Sequence, residues 1–123
     1  MSAVQTVAVL GASANPDRYS NMAVRCLHEA GHRVIPVNPA LEQIEGLPVA
    51  KSLGEIRDPI DTLTLYVGPQ RLAPLTDEIL RLAPKRVIFN PGTESADLAA
   101  ALDRAGIPHL AACTLVLLQT GQF

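Results

Sequence analysis

The run from Val7 to Asn21, Val-Ala-Val-Leu-Gly-Ala-Ser-Ala-Asn-Pro-Asp-Arg-Tyr-Ser-Asn, constrains the fold more than any other part of the chain. The apolar residues of Val4–Leu10 predict a buried strand. Gly11 then supplies a turn with unusual dihedrals, and Ala12 and Ser13 are small enough for a ligand to approach the backbone. A helix follows with Arg18 at its start. A strand, a small-residue turn and a helix N-terminus in this order form the phosphate cradle of α/β domains, so a nucleotide-like ligand is the first expectation.

The rest of the chain repeats that alternation. From Ser20, residues Ala23, Val24, Leu27 and Ala30 recur at helical spacing until Gly31 stops the helix. Arg33–Asn38 is the second strand, ended by Asn38-Pro39. Leu41–Ile56 reads as a meandering connection with one short strand around Pro48–Ala50. Thr62–Val67 is a third strand stopped by Gly68-Pro69, and Leu72, Leu75, Ile79, Leu80 and Leu82 mark one amphipathic helix ending before Pro84. Arg86–Asn90 is a fourth strand, broken at Asn90-Pro91-Gly92. Leu98, Ala101, Leu102 and Ala105 form a helix closed by Gly106, and His109–Ala112 is a short fifth strand before a helical turn at Thr114–Leu118.

Right-handed crossovers turn this succession into an α/β, Rossmann-like, doubly wound parallel sheet of about five strands, expected in the order 3-2-1-4-5. At 123 residues the chain fits a single domain, residues 1–123, that buries roughly two-thirds of its unfolded surface. Hydrophobic residues make up 48% of the chain but aromatics only 3%, which requires a core of Val, Leu, Ile and Ala, the mixture of parallel strands covered on both faces.

A formal charge of −2, without a basic run or interleaved aromatics, argues against nucleic acid as a partner. The start of the chain has no basic segment leading into an apolar core. No apolar run approaches the ~18 residues of a membrane span, so a cytoplasmic protein without membrane association is expected. Cys26 and Cys113 lack CxxC spacing and a nearby His pair, which predicts reduced thiols and neither a zinc site nor a disulfide framework.

The polar, Gly and Pro residues fall just past the strands, at Gly11-Ala12-Ser13, Asn38-Pro39, Gly68-Pro69 and Asn90-Pro91-Gly92. Four turns on one sheet edge favour a binding cleft over isolated chain stops. A dinucleotide fold would carry G-x-G-x-x-G after the first strand and an acidic residue ending the second. This chain keeps only the first glycine and ends its second strand in Asn38-Pro39, which disfavours nicotinamide adenine dinucleotide. An adenine-bearing ligand of different phosphate geometry fits better. Arg18 suits bidentate phosphate contact, and Ser13, Ser20 and Asn21 are candidate additional donors, with turn and cap roles as their ordinary alternatives.

No catalytic residue is assigned. His28 and His32 flank the end of the first helix and His109 sits near the last strand, all three read as surface histidines. Asp61 lies at the wrong end of its strand, and Asp17 shapes the turn. Cys113 reads as a buried, inert thiol.

The residues Gly11-Ala12-Ser13, Asn15-Pro16-x-Arg18, Gly31-x-x-Val34-Ile35-Pro36-Val37-Asn38-Pro39, Gly46 and Phe89-Asn90-Pro91-Gly92-Thr93-Glu94, with the terminal stretch Cys113–Leu118, together resemble the small stand-alone CoA-binding domain proteins. That family is similar in fold to the N-terminal CoA-binding domain of the succinyl-CoA ligase alpha subunit. The resemblance spans essentially the whole chain. It implies coenzyme A as ligand, with Gly11, Ala12 and Ser13 approaching its diphosphate and Arg18 and Ser20 contacting phosphate. It further implies that Asn38 and Pro39 border the adenosine, and that Val67, Gly68, Pro69, Pro91 and Gly92 line the adenine and pantetheine path. Many members carry Phe-Arg after the third strand and Gln-Leu-Gly after the fourth. Tyr66-Val67-Gly68 and Asn90-Pro91-Gly92 mark a distinct subgroup.

The expectation is therefore non-catalytic binding of coenzyme A or a short acyl-CoA, with ligase chemistry left outside such a domain. Two other classes stay open. One is an enzyme acting on an acyl-CoA or nucleotide, with Cys113 as its nucleophile. The other is an interaction or regulatory module with a vestigial cleft, a homodimer through apolar helix faces.

Overall fold

Five short strands with apolar side chains on both faces require cover on both sides, and the chain supplies it by alternating strand and helix. The computed structural model describes residues 3–123. Strands β1 (Thr6–Leu10), β2 (Arg33–Val37), β5 (Thr62–Leu65), β6 (Arg86–Phe89) and β7 (His109–Ala111) form one parallel sheet in the order β2-β1-β5-β6-β7. Between β2 and β5, β3 (Gln43–Ile44) and β4 (Leu47–Pro48) make an antiparallel hairpin.

The parallel Rossmann-like sheet is the one expected, but its order is not 3-2-1-4-5. The third strand of the main sheet lies inside, against β1, and not beyond β2. Two local facts account for this. All four residues of β5 are buried, as a central strand requires. The outer edge of β2 is closed by Ala50, whose amide donates to the Pro36 carbonyl at 3.0 Å and whose carbonyl accepts from the Asn38 amide at 3.0 Å. Pro36 itself has no N–H to offer a further strand.

Helices α1 (Tyr19–Glu29) and α5 (Thr114–Gln119) cover one face, where Val24 and Leu27 of α1 pack with Val7 and Val9 of β1. Helices α2 (Pro69–Leu72), α3 (Thr76–Leu82) and α4 (Ala96–Ala105) cover the other, packing Leu72, Ile79, Leu98 and Leu102 with Leu10, Leu63 and Leu65 of the sheet. The amphipathic segment expected as one helix over Leu72–Leu82 is broken by a 3-10 turn at Ala73–Leu75, where Pro74 lacks the amide an α-helix would use. The region read as a meander is the β3–β4 hairpin, turned by Glu45 and Gly46, both at positive φ. Ile44 is fully buried against the α1 face. Its burial, worth about 1.5–3 kcal/mol, anchors the hairpin over the start of α1.

The end of the sheet opposite the strand C-termini is tied by polar contacts. The Thr6 amide donates to the Asp61 carboxylate at 2.8 Å, and Lys85 pairs with Asp61 at 3.2 Å. Those bonds hold the Asp61 carboxyl below its ordinary pKa, the Thr6 amide most of all. His32 is buried, which corrects the expectation of a surface histidine. Its Nδ1 accepts the Gln5 amide at 3.0 Å and its ring meets Phe123 at 5.2 Å. His28 is exposed, and His109 is partly covered and paired with Asp103 at 2.8 Å. Cys113 is half-buried, not enclosed.

Candidate functional site

The turn after β1 is built by glycine geometry. Gly11 has φ +86, and a β-carbon there would stand 2.7 Å from Val67 Cγ1 and 3.0 Å from the Tyr66 carbonyl oxygen. The amides of Gly11 and Ala12 both donate to the Val37 carbonyl, at 3.2 and 3.1 Å. They hold the loop to β2 and are not free donors. Beyond them the loop closes on itself, with Ser13 Oγ accepting from the Asn15 amide and Asn15 Oδ1 from the Asp17 amide, each at 3.0 Å. This confirms Asp17 as a residue of the turn.

Two asparagines complete the scaffold. Asn38 Nδ2 donates to the Ala12 carbonyl at 2.9 Å, while its Oδ1 accepts from the amides of Ala40 and Leu41. Asn21, fully buried in the first turn of α1, donates to the Ser13 carbonyl at 2.9 Å and to Glu45 at 3.1 Å, and accepts from Arg25 Nε at 2.9 Å. The Asn21 side chain therefore fixes the loop and is not a ligand donor as the sequence suggested. The first-turn amides of α1 have no intrahelical partner, and Arg18 at the N-cap gives them no side-chain acceptor, so the positive end of the helix is left uncapped.

These elements enclose a cavity of about 260 Å³ at the C-terminal ends of β1, β2 and β5. Gly11, Ala12, Ser13, Arg18, Ser20, Asn38, Pro39 and Val67 line it, together with Tyr66 and Arg71. A neighbouring apolar recess of about 120 Å³, walled by Leu10, Val37, Leu53, Val67 and Leu75, shares Gly11, Pro39, Val67 and Arg71 with it. One continuous groove thus joins a polar bowl to an apolar end.

Gly68 and Pro69 stand behind the groove, as the cap and first residue of α2, and do not line it. Pro91 and Gly92 are exposed at the end of β6, where the Gly92 amide donates to Glu94 at 2.8 Å. Of the four strand-end turns, Gly11-Ala12-Ser13 and Asn38-Pro39 line the groove, the β5 end contributes Tyr66 and Val67 in place of Gly68-Pro69, and Pro91-Gly92 stands apart. Arg71 was absent from the sequence-derived site. Its signal lay in Pro69, a typical first helical residue, which places Arg71 in the first turn after β5, on the same edge as Arg18.

Among the described residues, neither Arg18 nor Arg71 enters an ion pair, and both are exposed. The bowl is therefore cationic without a carboxylate to neutralise it. Behind it lies a buried polar cluster in which Asn90 Nδ2 donates to Thr64 Oγ1 at 2.6 Å and to the Leu65 carbonyl at 2.9 Å. Asn90 Oδ1 accepts the Thr114 amide at 2.8 Å, and the hydroxyls of Thr64 and Thr114 stand 2.8 Å apart. The Tyr66 hydroxyl reaches this cluster, is sealed from solvent and finds no partner in hydrogen-bonding geometry among the described residues. Burial pushes its pKa up to about 12.

Among the described residues no group of three or more His, Cys, Asp or Glu side chains could hold a metal ion, and no helix is long and apolar enough to cross a membrane. A cationic bowl over a helix N-terminus, with no paired acid and base, is equipped to hold an anion.

The chain is 36% identical over 74 residues to the uncharacterized protein YneT of Bacillus subtilis (strain 168), a match covering 60% of this chain and 55% of that relative. A solved structure from Thermus thermophilus matches at 34% identity and a TM-score of 0.90, covering 98% of this chain and 91% of that one. The dinucleotide forming acetyl-coenzyme A synthetase 1 of Ca. Korarchaeum cryptofilum shares the fold over 86% of this chain and 25% of its own, at 20% identity and a TM-score of 0.74. The model of the CoA binding domain matches residues 5–119. With nearly its whole length accounted for by that one model, the chain belongs to the CoA-binding domain family.

Proposed function

We propose that residues 1–123 form one unit that binds coenzyme A or a short acyl-CoA in the groove at the C-terminal sheet edge, without itself catalysing a reaction. The observation that carries this reading is the pair of unpaired arginines, Arg18 and Arg71, lining one polar bowl beside the uncapped start of α1. A diphosphate needs cationic and N–H donors, and guanidinium groups supply them bidentately. Ser13 and Ser20 add hydroxyls, Gly11, Ala12, Asn38 and Pro39 shape the wall, and Val67 leads into the apolar recess. Gly68 and Pro69 support α2 behind it. Pro91 and Gly92 enter this reading only as the distal border of a long ligand.

Coenzyme A supplies polyanionic phosphates, an adenine and a thiol-bearing arm, and the cationic bowl with its apolar extension fits the first two. We place the protein in a thiol-reducing compartment such as the cytoplasm, with Cys26 and Cys113 free, and include a homodimer in the reading.

Titration of coenzyme A into the purified protein, followed by calorimetry and thermal melting with NAD and ATP as controls, tests the proposal. A ligand at a hundredfold excess over Kd raises stability by about 2.7 kcal/mol, which is a measurable shift in Tm. A shift selective for coenzyme A and weakened in Arg18→Ala supports the reading. No shift with coenzyme A or acetyl-CoA overturns it in favour of an interaction module with a vestigial cleft.

A further inference from the structure

Arg71 occupies a place in the groove that no other polar side chain shares. The polar bowl and the apolar recess have Gly11, Pro39, Val67 and Arg71 in common, and of these only Arg71 carries a side-chain donor. At the same junction the Gly11 amide is bonded to the Val37 carbonyl at 3.2 Å, and Pro39 has no N–H.

The local structure fixes Arg71 there. Gly68 and Pro69 begin α2, the amides of Arg71 and Leu72 both donate to the Gly68 carbonyl at 3.0 Å, and Leu72 is fully buried. With Leu72 turned into the core, Arg71 is exposed, and among the described residues it enters no ion pair. The two other charged side chains of the recess are engaged elsewhere. Lys51 pairs with Glu42 at 3.0 Å, and Glu78 accepts the Gly54 amide at 3.3 Å.

In an adenine nucleotide the ribose joins the base to the 5′-phosphates. With those phosphates in the bowl beside Arg18, and the adenine in the recess walled by Leu10, Val37 and Leu53, the ribose has to lie at the junction, against Arg71. A bare ribose hydroxyl does not call for a guanidinium. A phosphomonoester does, because the fork of N–H donors matches its oxygens bidentately.

We propose, resting on the coenzyme A reading of the groove, that Arg71 is its specificity-determining residue: it binds the phosphate on the 3′-oxygen of the ligand's ribose and leaves the 5′-diphosphate to Arg18, Ser13 and Ser20. The groove then selects coenzyme A against ligands whose ribose is bare, dephospho-coenzyme A, ATP and NAD among them.

Calorimetric titrations at one ionic strength with coenzyme A and dephospho-coenzyme A, which differ by that phosphate alone, test the assignment. The unmodified protein should bind coenzyme A at least about tenfold more tightly. Arg71→Ala should bring the ratio of the two affinities close to one, whereas Arg18→Ala should weaken both ligands by similar factors and preserve the ratio. Arg71→Lys keeps the charge without the fork and should retain only part of the preference. Adenosine 3′,5′-bisphosphate should displace coenzyme A at lower concentration than ADP, which carries its two phosphates in series on the 5′-oxygen. Thermal melts establish that each variant is folded.

Equal affinity of the unmodified protein for coenzyme A and dephospho-coenzyme A overturns the proposal and leaves the coenzyme A reading intact. A preference that survives Arg71→Ala also overturns it, by giving the ribose phosphate to another residue. Tighter binding of NADP than of coenzyme A overturns it by moving that phosphate to the 2′-oxygen. Binding of neither coenzyme A nor its dephospho form is a separate outcome, which overturns the reading of the groove and this inference with it.

Discussion

Val67 Cγ1 stands 2.7 Å from the point to which a β-carbon on Gly11 would project, so the loop after β1 and the loop after β5 interlock through the missing side chain. Gly11→Ala meets two penalties there, a positive φ and an overlap with Val67 and the Tyr66 backbone. Together these should cost about 2–4 kcal/mol in urea unfolding. Val67→Ala removes the nearest contact, so the double variant should recover part of the loss but not the dihedral part. Additive single-variant effects would show that the two loops are not coupled.

Arg18 and Arg71 pair with nothing among the described residues, so replacing either by Ala should change stability by less than about 0.5 kcal/mol. Each should nevertheless weaken coenzyme A binding by about 10- to 150-fold, the effect of losing one charge-assisted contact of about 1.5–3 kcal/mol. Calorimetry on both variants, beside their melting temperatures, separates the two quantities. A loss confined to Arg18→Ala would remove Arg71 from the site.

The alternation of strands and helices was legible from period and punctuation, because Val7–Leu10, Thr62–Val67 and Val87–Phe89 are β-branched or apolar runs followed by Gly11, Gly68-Pro69 and Asn90. Strand order was not. Which strand neighbours β1 depends on what covers the outer edge of β2, and the closing contact runs from Pro36 to Ala50 through a hairpin that local pattern does not disclose. Pro36 was the one local sign that β2 is an edge strand. Within the site, Gly11 to Arg18 were legible as a loop, but their roles were not. That Asn21 and Asn38 hold the loop follows from contacts to Glu45, Ser13 and Ala12, residues up to 26 positions away. Arg71 was hidden for the same reason, since its meeting with Arg18 is tertiary.

Asn90 satisfies three partners in the buried cluster at the end of β6, namely Thr64, the Leu65 carbonyl and the Thr114 amide. Asn90→Ala should leave the Thr114 amide and the Leu65 carbonyl unpaired and cost about 2–4 kcal/mol of unfolding free energy. The Tyr66 hydroxyl next to that cluster is already unpaired. Tyr66→Phe should therefore be neutral or raise stability by up to about 1 kcal/mol in the free protein. Parallel denaturation curves of the two variants check both signs, and a large destabilisation by Tyr66→Phe would show that the hydroxyl has a partner.

His32 gives the protein a predictable acid dependence. Burial, reinforced by the nearby Arg86 cation, lowers its pKa below the ordinary 6.5. Its Nδ1 must also stay unprotonated to accept the Gln5 amide. Between the folded and unfolded pKa values the unfolded chain binds the extra proton, so stability is complete above about pH 6.5 and falls as pH drops toward the folded value, below which no further loss comes from this group. Asp61 acts in a separate, lower window. Its carboxyl is held below its usual value of 3.8 by the Thr6 amide first and Lys85 second, so its contribution is present above that value and is lost as pH falls through the folded pKa. Unfolding free energies measured from pH 7.5 down to pH 3 should show two successive declines. His32→Asn keeps an acceptor without a titrating group and should flatten the upper decline alone, while Asp61→Asn should flatten the lower one. An upper decline that survives His32→Asn would assign it to another group.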